Sequence, residues 1–488
     1  MGKHEGGVIG MPWKAVSPIE IYKLLPRTNC KECGEENCMA FAVKLVNMET
    51  KLEKCTPLLK ESKYRKNYEK LKEILSPLIK EIEIRSEKNV VKIGGEYVMH
   101  RHELTYINPT PIAIDVDDTM TKEELAKRID IAENFKYDYL GRNLTLDLIA
   151  IRSVSNDPET FKRTVSFVAR NTNLPLILCS FNPKVIEAGL SVIPDQRPLI
   201  YAITKDNWQK IMEIVRKHDL PVTVFSPGDL DMLMSLTKTL LDNGIEDIAL
   251  DPGTFVSEKG LRYTLSAFTI LRWKACNEDY RLAGFPLVGT PIIAWKTVEG
   301  DRLMKAWWET ITAAMLMIRY ADLLIMHSIE GWSLLPLVIL RFNIYTDPRR
   351  PVSVEPRLKI IGNPNEMSPV MVTGNFALTY HLVSGDIESG KIDCYLLVVD
   401  TEGMAVEAAV PGRKFLPEKV AELLKSSGVE KMVKHRILII PGKAARLAGD
   451  IEDATGWKVL VGPLDSKDIP KFINEKWNEK TIEELLKG

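Results

Sequence analysis

PLILCSFNPKVIEAGLSVIPDQRPLIYAITKDNWQKIMEIVRKHDLPVTVF, residues 175–225, decides the fold. Three short apolar runs, PLILC (175–179), PLIYAI (198–203) and PVTVF (221–225), read as strands. Between the last two, NWQKIMEIVRKH places apolar residues at helical spacing. Working outward, the same alternation extends both ways. IAIDV (112–116) and LDLIAI (146–151) precede it, and DIALD (247–251), FPLVG (285–289) and DLLIM (322–326) follow. KEELAKRIDIAENF and DLDMLMSLTKTLLDNG are further helical separators. Eight β/α units within roughly 230 residues predict one closed parallel (β/α)8 TIM barrel over residues 90–347, with an open doubly wound sheet as the alternative. VVKIGGEYVMHRHELTY, from Val90, reads as a hairpin turning at Gly94-Gly95.

Polar residues collect just after these strands: Asp117, Asp118, Ser153, Asn156, Ser180, Asn182, Thr204, Ser226, Asp251, His327 and Glu330. Barrel sites form at that end, but loops are polar anyway, and Asp251-Pro252-Gly253 also reads as a plain strand-end turn. No HExxH or GxSxG occurs. His327 reads as a satisfied, half-buried histidine. Cys179, Cys276 and Cys394 lie too far apart in sequence to suggest a metal site and read as core.

The other chemistry sits at the two ends. Four of the seven cysteines fall between Asn29 and Cys55, spaced Cys30-x2-Cys33-x4-Cys38-x16-Cys55. Thiolates are soft ligands. Structural zinc favours two short pairs, whereas three ligands in one loop with a distant fourth suit a cubane iron–sulfur cluster. Zinc and bystander thiols remain as alternatives. Phe41, Leu45, Met48 and Leu52 predict a helix over 38–53 that returns Cys55 to the loop. Ser17-Pro18-Ile19-Glu20 reads as a capping box with Pro at the first helical position. Residues 1–57 thus form a small helical cluster domain, and the charge-rich 58–89 a linker helix broken at Pro77.

PRRPVSVEPRLK (348–359) opens a linker over 348–368. Beyond it, residues 369–488 show short strands ending in glycine-bearing loops. MV (371–372) leads into Thr373-Gly374-Asn375, YLLVVD (395–400) into Thr401-Glu402-Gly403, RILIIP (436–441) into Gly442-Lys443, and WKVLVG (457–462) into Pro463-Leu464. This predicts an open, Rossmann-like α/β domain whose loops line one crevice. Glycine there lets backbone N–H groups approach a ligand. Thr373 and Thr379 are expected at the start and in the second turn of the following helix. There is no Walker A or GxGxxG run, and the loops suit a large, amide-rich ligand; ordinary α/β turns are the alternative.

With 488 residues, 45% apolar and 27% charged, the chain suits a soluble globular protein of about three domains. Lys+Arg of 65 against Asp+Glu of 66 gives no general attraction to nucleic acid or anionic membrane. The N-terminus lacks a signal-peptide apolar core. The most apolar stretch, residues 311–340, is broken by Arg319, Asp322, His327 and Glu330, short of the ~18 uncharged residues of a membrane span. Sparse, odd-numbered cysteines suit a reducing cytoplasm.

Over nearly its full length the chain resembles the large (gamma) subunits of corrinoid iron–sulfur proteins in the acetyl-CoA decarbonylase/synthase (CO dehydrogenase/acetyl-CoA synthase) system. The motifs are LLPRTNCKECGEENCMAFAVKL, GGEYVMHRHELTYINPT, VTGNFALTYHLVSGDI and YLLVVDTEGMAV. The resemblance implies a methyltransferase component that carries a methyl group on cobalt between a methyl-tetrahydropterin (tetrahydrosarcinapterin or tetrahydrofolate) and the acetyl-CoA synthase centre, through methyl-Co(III) and Co(I). Cobalt is then the nucleophile and no side chain is catalytic. The resemblance implies that Cys30, Cys33, Cys38 and Cys55 bind a 4Fe–4S cluster that reactivates Co(II). Thr373, Thr379 and Gly403, Met404, Ala405 and Val406 would contact the corrinoid, with Gly442, Gly462, Pro463 and Leu464 as weaker carry-overs. The implied partners are the small (delta) subunit and the CO dehydrogenase/acetyl-CoA synthase subunits. The D-x-H-x-x-G motif that supplies a lower histidine ligand in many corrinoid methyltransferases is missing; His381 comes nearest, with Thr at 379 and Gly at 385. The corrinoid is therefore expected base-off without a histidine ligand. An iron–sulfur barrel enzyme with a nucleotide-binding C-terminal domain, or a non-catalytic scaffold, are the other readings.

Overall fold

The computed structural model describes residues 17–140, 142–346, 351–478, 480 and 482. Residues 1–16, where the absence of a signal peptide was read, and 347–350 of the expected linker lie outside them. The chain divides into two compact units. One holds the described residues up to Phe135 with Thr145–Tyr345; the other holds Lys136–Leu144 and the described residues from Thr346 onward.

The first unit opens with four helices: α1 (Pro18–Leu24), α2 (Cys38–Val46), α3 (Thr56–Lys60) and α4 (Arg65–Ile74). Ser17 caps α1 by accepting from Ile19 N at 3.3 Å, a simpler cap than the expected box. The helix expected over 38–53 stops at Val46, because Met48 turns left-handed (φ 59°); Leu52–Lys54 then forms a single 3-10 turn. Ile21, Leu25, Phe41, Leu45, Leu52, Leu58 and Leu71 share one core. Leu71 belongs to α4, so the expected linker segment 58–89 is in fact packed onto the cysteine module, and it also contributes a strand.

That strand, β1 (Ile82–Arg85), pairs antiparallel with β2 (Val90–Ile93) in register Ile82↔Ile93. The hairpin therefore turns at 86–89, where Ser86 and Asn89 bond to each other, and not at Gly94-Gly95 as expected. The glycines do a different job. Both are left-handed (φ 74° and 84°), and a Cβ at Gly94 would stand 2.3 Å from Lys80 O. Ile82, Ile84 and Ile93 plug the N-terminal end of the barrel, against Ala113, Leu148, Ile177 and Leu199.

The barrel follows as β3 (Ile112–Asp117), α5 (Lys122–Asn134), β4 (Lys136–Tyr139), β5 (Arg142–Thr145), β6 (Leu148–Arg152), α6 (Pro158–Asn171), β7 (Leu176–Cys179), α7 (Pro183–Leu190), β8 (Leu199–Ile203), α8 (Trp208–His218), β9 (Val222–Phe225), α9 (Leu230–Asp242), β10 (Ile248–Asp251), α10 (Glu258–Asn277), β11 (Val288–Gly289), α11 (Ala294–Thr297), α12 (Arg302–Ile318), β12 (Leu323–Met326) and α13 (Gly331–Ile344). Each of the eight predicted strands is present in the parallel sheet, in order β10-β9-β8-β7-β6-β3-β12-β11. The barrel is nearly closed: β10 and β11 meet through one parallel bridge, Leu250↔Leu287, with Leu250 N donating to Pro286 O at 2.8 Å. Side-chain caps at Thr121, Asp157, Asn182, Asp229, Ser257 and Asp301 start six of the helices, each contributing about 1 kcal/mol. The β4–β5 ribbon is an insertion between the first two barrel strands.

Glu96, next to the glycine pair, is 3% exposed and receives Ile107 N on both oxygens at 3.1 Å. Burial, reinforced by the Asp322 charge and opposed by Arg272, pushes its carboxyl up to about 8. The folded chain thus keeps a proton that the unfolded chain releases near the ordinary carboxylate value. This contribution to stability is fully present below that value and is lost as pH rises through about 8. Glu96→Gln is expected to raise stability at pH 9 by a few kcal/mol, to an order of magnitude, with little effect at pH 4. Thermal unfolding at the two pH values checks it; an unchanged pH slope refutes it.

The second unit contains β13 (Leu358–Ile361), β14 (Val370–Gly374), α14 (Ala377–Ser389), β15 (Cys394–Val399), α15 (Val406–Ala409), α16 (Pro417–Ser427), β16 (Ile437–Ile440), α17 (Ala448–Thr455), β17 (Lys458–Val461) and α18 (Ile469–Lys476). Its sheet runs β13-β15-β14-β16-β17, parallel except for β13. β13 lies inside the segment read as a linker, 348–368. It pairs antiparallel with β15 from Leu358↔Leu397 to Ile361↔Cys394, so the sheet is mixed. The strand order reverses at β14, between β15 and β16, and such a reversal opens a crevice at the strands' C-terminal ends.

Candidate functional site

The cysteine loop is held open by its backbone. Arg27, Asn29, Lys31 and Gly34 are all left-handed (φ 57°, 48°, 64° and 87°). Left-handed residues in such a loop can turn backbone N–H groups toward one concavity, as nests at anionic clusters do. Asn29 Oδ1 accepts from Cys38 N at 2.9 Å, tying the loop to the start of α2. Lys44 pairs with Glu35 at 2.8 Å across the same loop. Cys38 and Cys55 are buried, Cys33 is half-buried and Cys30 exposed. Burial pushes the Cys55 thiol up, and Cys38, Cys33 and Cys30 add to the rise by charge. Among the described residues, no three His, Cys, Asp or Glu side chains close tightly enough to hold a single ion.

At the reversal of the second sheet lies a cavity of about 570 Å³. Of the ten residues that the resemblance implies as corrinoid contacts, seven line it: Thr373, Thr379, Ala405, Val406, Gly462, Pro463 and Leu464. Thr373 sits on β14 and is 1% exposed; Thr379 is in the first turn of α14. The expectation that both belong to the helix is corrected, because β14 runs on to Gly374. Gly403, Met404 and Gly442 do not line the cavity. Gly403 is left-handed (φ 74°) and its N–H is fixed by Asn375 Oδ1 at 3.0 Å. Met404 packs against the sheet's core. Gly442 supports the wall from behind: its N donates to Pro463 O at 3.0 Å, and a Cβ there would lie 2.7 Å from Gly462 O and Pro463 O.

Sequence reasoning missed several residues here. Asn375, 3% exposed, joins two of the glycine loops. Its Oδ1 accepts from Thr401 N (3.0 Å) and Gly403 N, and lies 2.9 Å from Thr401 Oγ1. Glu407 and Lys443 line the cavity and form an ion pair across its edge, which holds the Glu407 carboxyl below its usual range. Leu382, Val383, Ile439 and Phe472 supply apolar wall. Asn375 stood inside a quoted motif, but only the folded loops reveal which groups it bonds. The unit's two histidines are both elsewhere. His381 is exposed on α14, and His435 has Nε2 on Ser368 O (2.9 Å) and Nδ1 on Ile437 N (3.3 Å).

The barrel mouth sorts the polar residues read from sequence. Asp118 is consumed structurally by Ser153 Oγ, Val154 N, Ser155 N and Ser155 Oγ at 2.6–3.0 Å. Asn182 caps α7 and bonds Asn156 at 2.9 Å. His327 is satisfied as expected: Nδ1 lies 2.7 Å from Asp115, a fully buried carboxylate that also binds Arg128 (2.9 Å) and Arg152 (2.7 Å). Burial works against the Asp115 charge, yet the His327 hydrogen bond and the two guanidinium charges hold its carboxyl below the usual range. Asp251 is pushed up to about 7 by burial, partly offset by Tyr201 Oη at 2.8 Å and Gly253 N. Asp115, Arg128 and Arg152 were absent from the sequence reading; a charged residue inside the apolar run IAIDV was the available signal.

Comparison with known proteins supplies the rest. A family model described as CO dehydrogenase/acetyl-CoA synthase delta subunit matches residues 81–473. A second, described as 'Putative Fe-S cluster', matches residues 25–57, which include all four clustered cysteines. The chain is 47% identical over 469 residues to acetyl-CoA decarbonylase/synthase complex subunit gamma 2 of Methanosarcina thermophila, covering 96% of this chain and 100% of that one. It is 44% identical over 471 residues to the gamma subunit of Archaeoglobus fulgidus, with the same coverage. Among solved structures, dihydropteroate synthase from Thermus thermophilus aligns with TM-score 0.38 and 14% identity, over 54% of this chain and 100% of that one. So remote a likeness transfers no chemistry.

Proposed function

The chain belongs to the gamma subunits of the acetyl-CoA decarbonylase/synthase complex, and from that premise we propose that its cysteine module and its C-terminal cavity divide the work of a corrinoid iron–sulfur methyl carrier. When bound, the corrinoid supplies the cobalt that accepts and donates the methyl group, and the cluster supplies the low-potential electron that restores it. Everything else falls to the protein's own groups.

Cys30, Cys33, Cys38 and Cys55 are the 4Fe–4S ligands in this reading. Each thiolate of a cubane has its own iron, so the ligands stand farther apart than around one zinc. Cys38 and Cys55 share one core, Cys33 packs against it, and Cys30 lies on the same loop, which supports the four as the ligands of one such group. With a cluster bound, backbone N–H groups of the left-handed loop would be the donors to its sulfides. Buried Cys38 and Cys55 wall off one side, while exposed Cys30 leaves an edge for electron transfer.

The corrinoid site is the cavity where the second sheet reverses, within a domain running from about residue 369 to the end. The carrying observation is that seven residues from four separate segments, picked as ligand contacts, line one cavity. Thr373 on β14, Thr379 on α14 and the loops at Ala405-Val406 and Gly462-Pro463-Leu464 line it. With neither histidine of this unit lining the cavity, base-off binding without a histidine ligand is favoured, which eases reduction of the metal. The delta subunit is the partner proposed to complete the site, and a methyl-tetrahydropterin the methyl source.

Anaerobic protein is expected to show corrinoid bands above a broad iron–sulfur shoulder. The EPR spectrum of its Co(II) state should lack nitrogen superhyperfine splitting in both wild type and His381→Ala. Splitting that His381→Ala removes would establish a histidine ligand and defeat the base-off reading. A shoulder without corrinoid bands would favour the iron–sulfur barrel enzyme instead.

A further inference from the structure

The cavity where the second sheet reverses is mostly apolar. Met371, Leu396, Ile439, Ile469 and Phe472 are part of its wall. Three ionisable side chains line it as well: Glu407, Lys443 and Asp465. Among the described residues of the lining, Lys443 is thus the one cation. Asp465 is engaged on its own loop, where it accepts from Lys467 N at 3.2 Å and pairs with Lys467 Nζ at 3.2 Å. Glu407 and Lys443 are left facing each other.

Topology sets these two on opposite sides of the reversal. Glu407 is in α15, which follows β15, and Lys443 is in the 3-10 turn Gly442–Leu447, which follows β16. β15 and β16 flank β14 on either side. Lys443 Nζ donates to Glu407 Oε2, so the ion pair ties the two flanking loops together across the strand that ends at Thr373-Gly374. The Lys443 and Glu407 side chains remain 44% and 64% exposed. An exposed pair of this kind stabilises a fold little. Lys443 is therefore a cation at the cavity rim that can change partner at small cost.

The corrinoid reading of the cavity says what the other partner is. A complete corrinoid, a cobamide, carries neutral amides around its ring and one ionised peripheral group, the phosphodiester that joins its nucleotide tail. A phosphodiester is anionic at every physiological pH and accepts charge-assisted hydrogen bonds from an ammonium. A cobamide is also larger than a 570 Å³ cavity. Part of it has to cross the rim, where Glu407 and Lys443 meet.

We propose that Lys443 binds the phosphodiester of the corrinoid's nucleotide tail, and that Glu407 holds Lys443 across the cavity rim until the ligand displaces it. The proposal rests on the corrinoid reading and adds a selectivity to it: this rim favours a complete cobamide over a ring without its tail.

The test uses the full-length chain with its cluster in place and no corrinoid bound. It is titrated at low ionic strength with cobalamin and with cobinamide, the same ring lacking phosphodiester and base. Lys443→Gln is expected to weaken cobalamin binding roughly 10-fold, the usual effect of one hydrogen bond to a charged group. Cobinamide binding should not change, and its constancy shows that the cavity is intact. Lys443→Arg should restore most of the cobalamin affinity. Glu407→Gln should tighten cobalamin a few-fold, because it removes both a competitor for Lys443 and a like charge beside the phosphodiester. Equal losses for both ligands in Lys443→Gln mean a distorted rim rather than a lost contact, and overturn the proposal. Unchanged cobalamin affinity in that variant overturns it too, while the corrinoid reading stands. A wild-type chain that binds neither ligand brings down the corrinoid reading and the proposal with it.

Discussion

Cys55→Ala is expected to empty the cysteine module of iron while leaving the C-terminal cavity able to hold a corrinoid. Cys55 is 6% exposed and shares a core with Ile21, Phe41 and Leu58, so no other cysteine in the described chain can take its place without unpacking that core. Loss of even an outer partner reduces metal affinity by roughly 10–100-fold, and loss of a ligand should exceed that. Iron content and the broad iron–sulfur absorbance should fall together. Corrinoid uptake should stay at the wild-type level, because the cavity is built wholly from residues after 370. The variant should accept a methyl group when reduced chemically, yet fail to be reactivated by a protein electron donor. Normal reactivation of an iron-free variant would remove the proposed role of the cluster.

Gly442→Val should produce the opposite pattern, a chain with its cluster but without its corrinoid. A Cβ at this position would lie 2.7 Å from both Gly462 O and Pro463 O and 2.8 Å from Pro463 C. These are backbone atoms and no rotamer change relieves them, so the Gly462-Pro463-Leu464 wall has to shift. Overpacking of this kind costs about 1–3 kcal/mol, which corresponds to roughly a 5- to 150-fold loss of affinity. Gly449→Ala is the matched control, because a Cβ there meets nothing within 4 Å. Equilibrium titration with free cobamide measures both. Wild-type affinity in Gly442→Val would place the ligand elsewhere.

The two variants also show how unevenly the sites could be read in advance. The cysteines were legible because spacing alone constrains them: four soft ligands within 27 residues leave few arrangements. The cavity was legible only in part. Glycine-bearing loops after apolar strands pointed to Thr373 and Gly462-Pro463-Leu464, the family resemblance added Ala405 and Val406, and parallel pairing brings those loops to one edge. Gly403 and Met404 in the loop after β15, and Gly442 in the loop after β16, face away from the cavity, into the packing behind it. A loop's membership in a site follows from topology, whereas the direction of each residue within it depends on neighbours far away in the chain. Glu407 and Lys443 are 36 residues apart and meet only after α15 and β16 are docked on one sheet. Asp115, with Arg152 37 residues away and His327 212 away, is the same case in the barrel.

By itself the sequence determined what local periodicity and spacing can carry. That includes the eight strand–helix units, the four-cysteine module, and a second α/β unit with glycine loops at its strand ends. These rest on period-2 and period-3.6 patterns and on short ligand spacings, all of which act within a few residues. The tertiary structure alone decided which segments join which sheet. β13 lies in a proline-rich stretch that reads as linker, yet it gains a full antiparallel pairing with Cys394–Leu397. The ribbon at 136–144 lies between two barrel strands in sequence but is counted with the second unit. The barrel closes through a single bridge between Leu250 and Leu287. In each case the free energy comes from backbone pairing and apolar burial against distant residues, and no local pattern encodes a partner that only folding brings near.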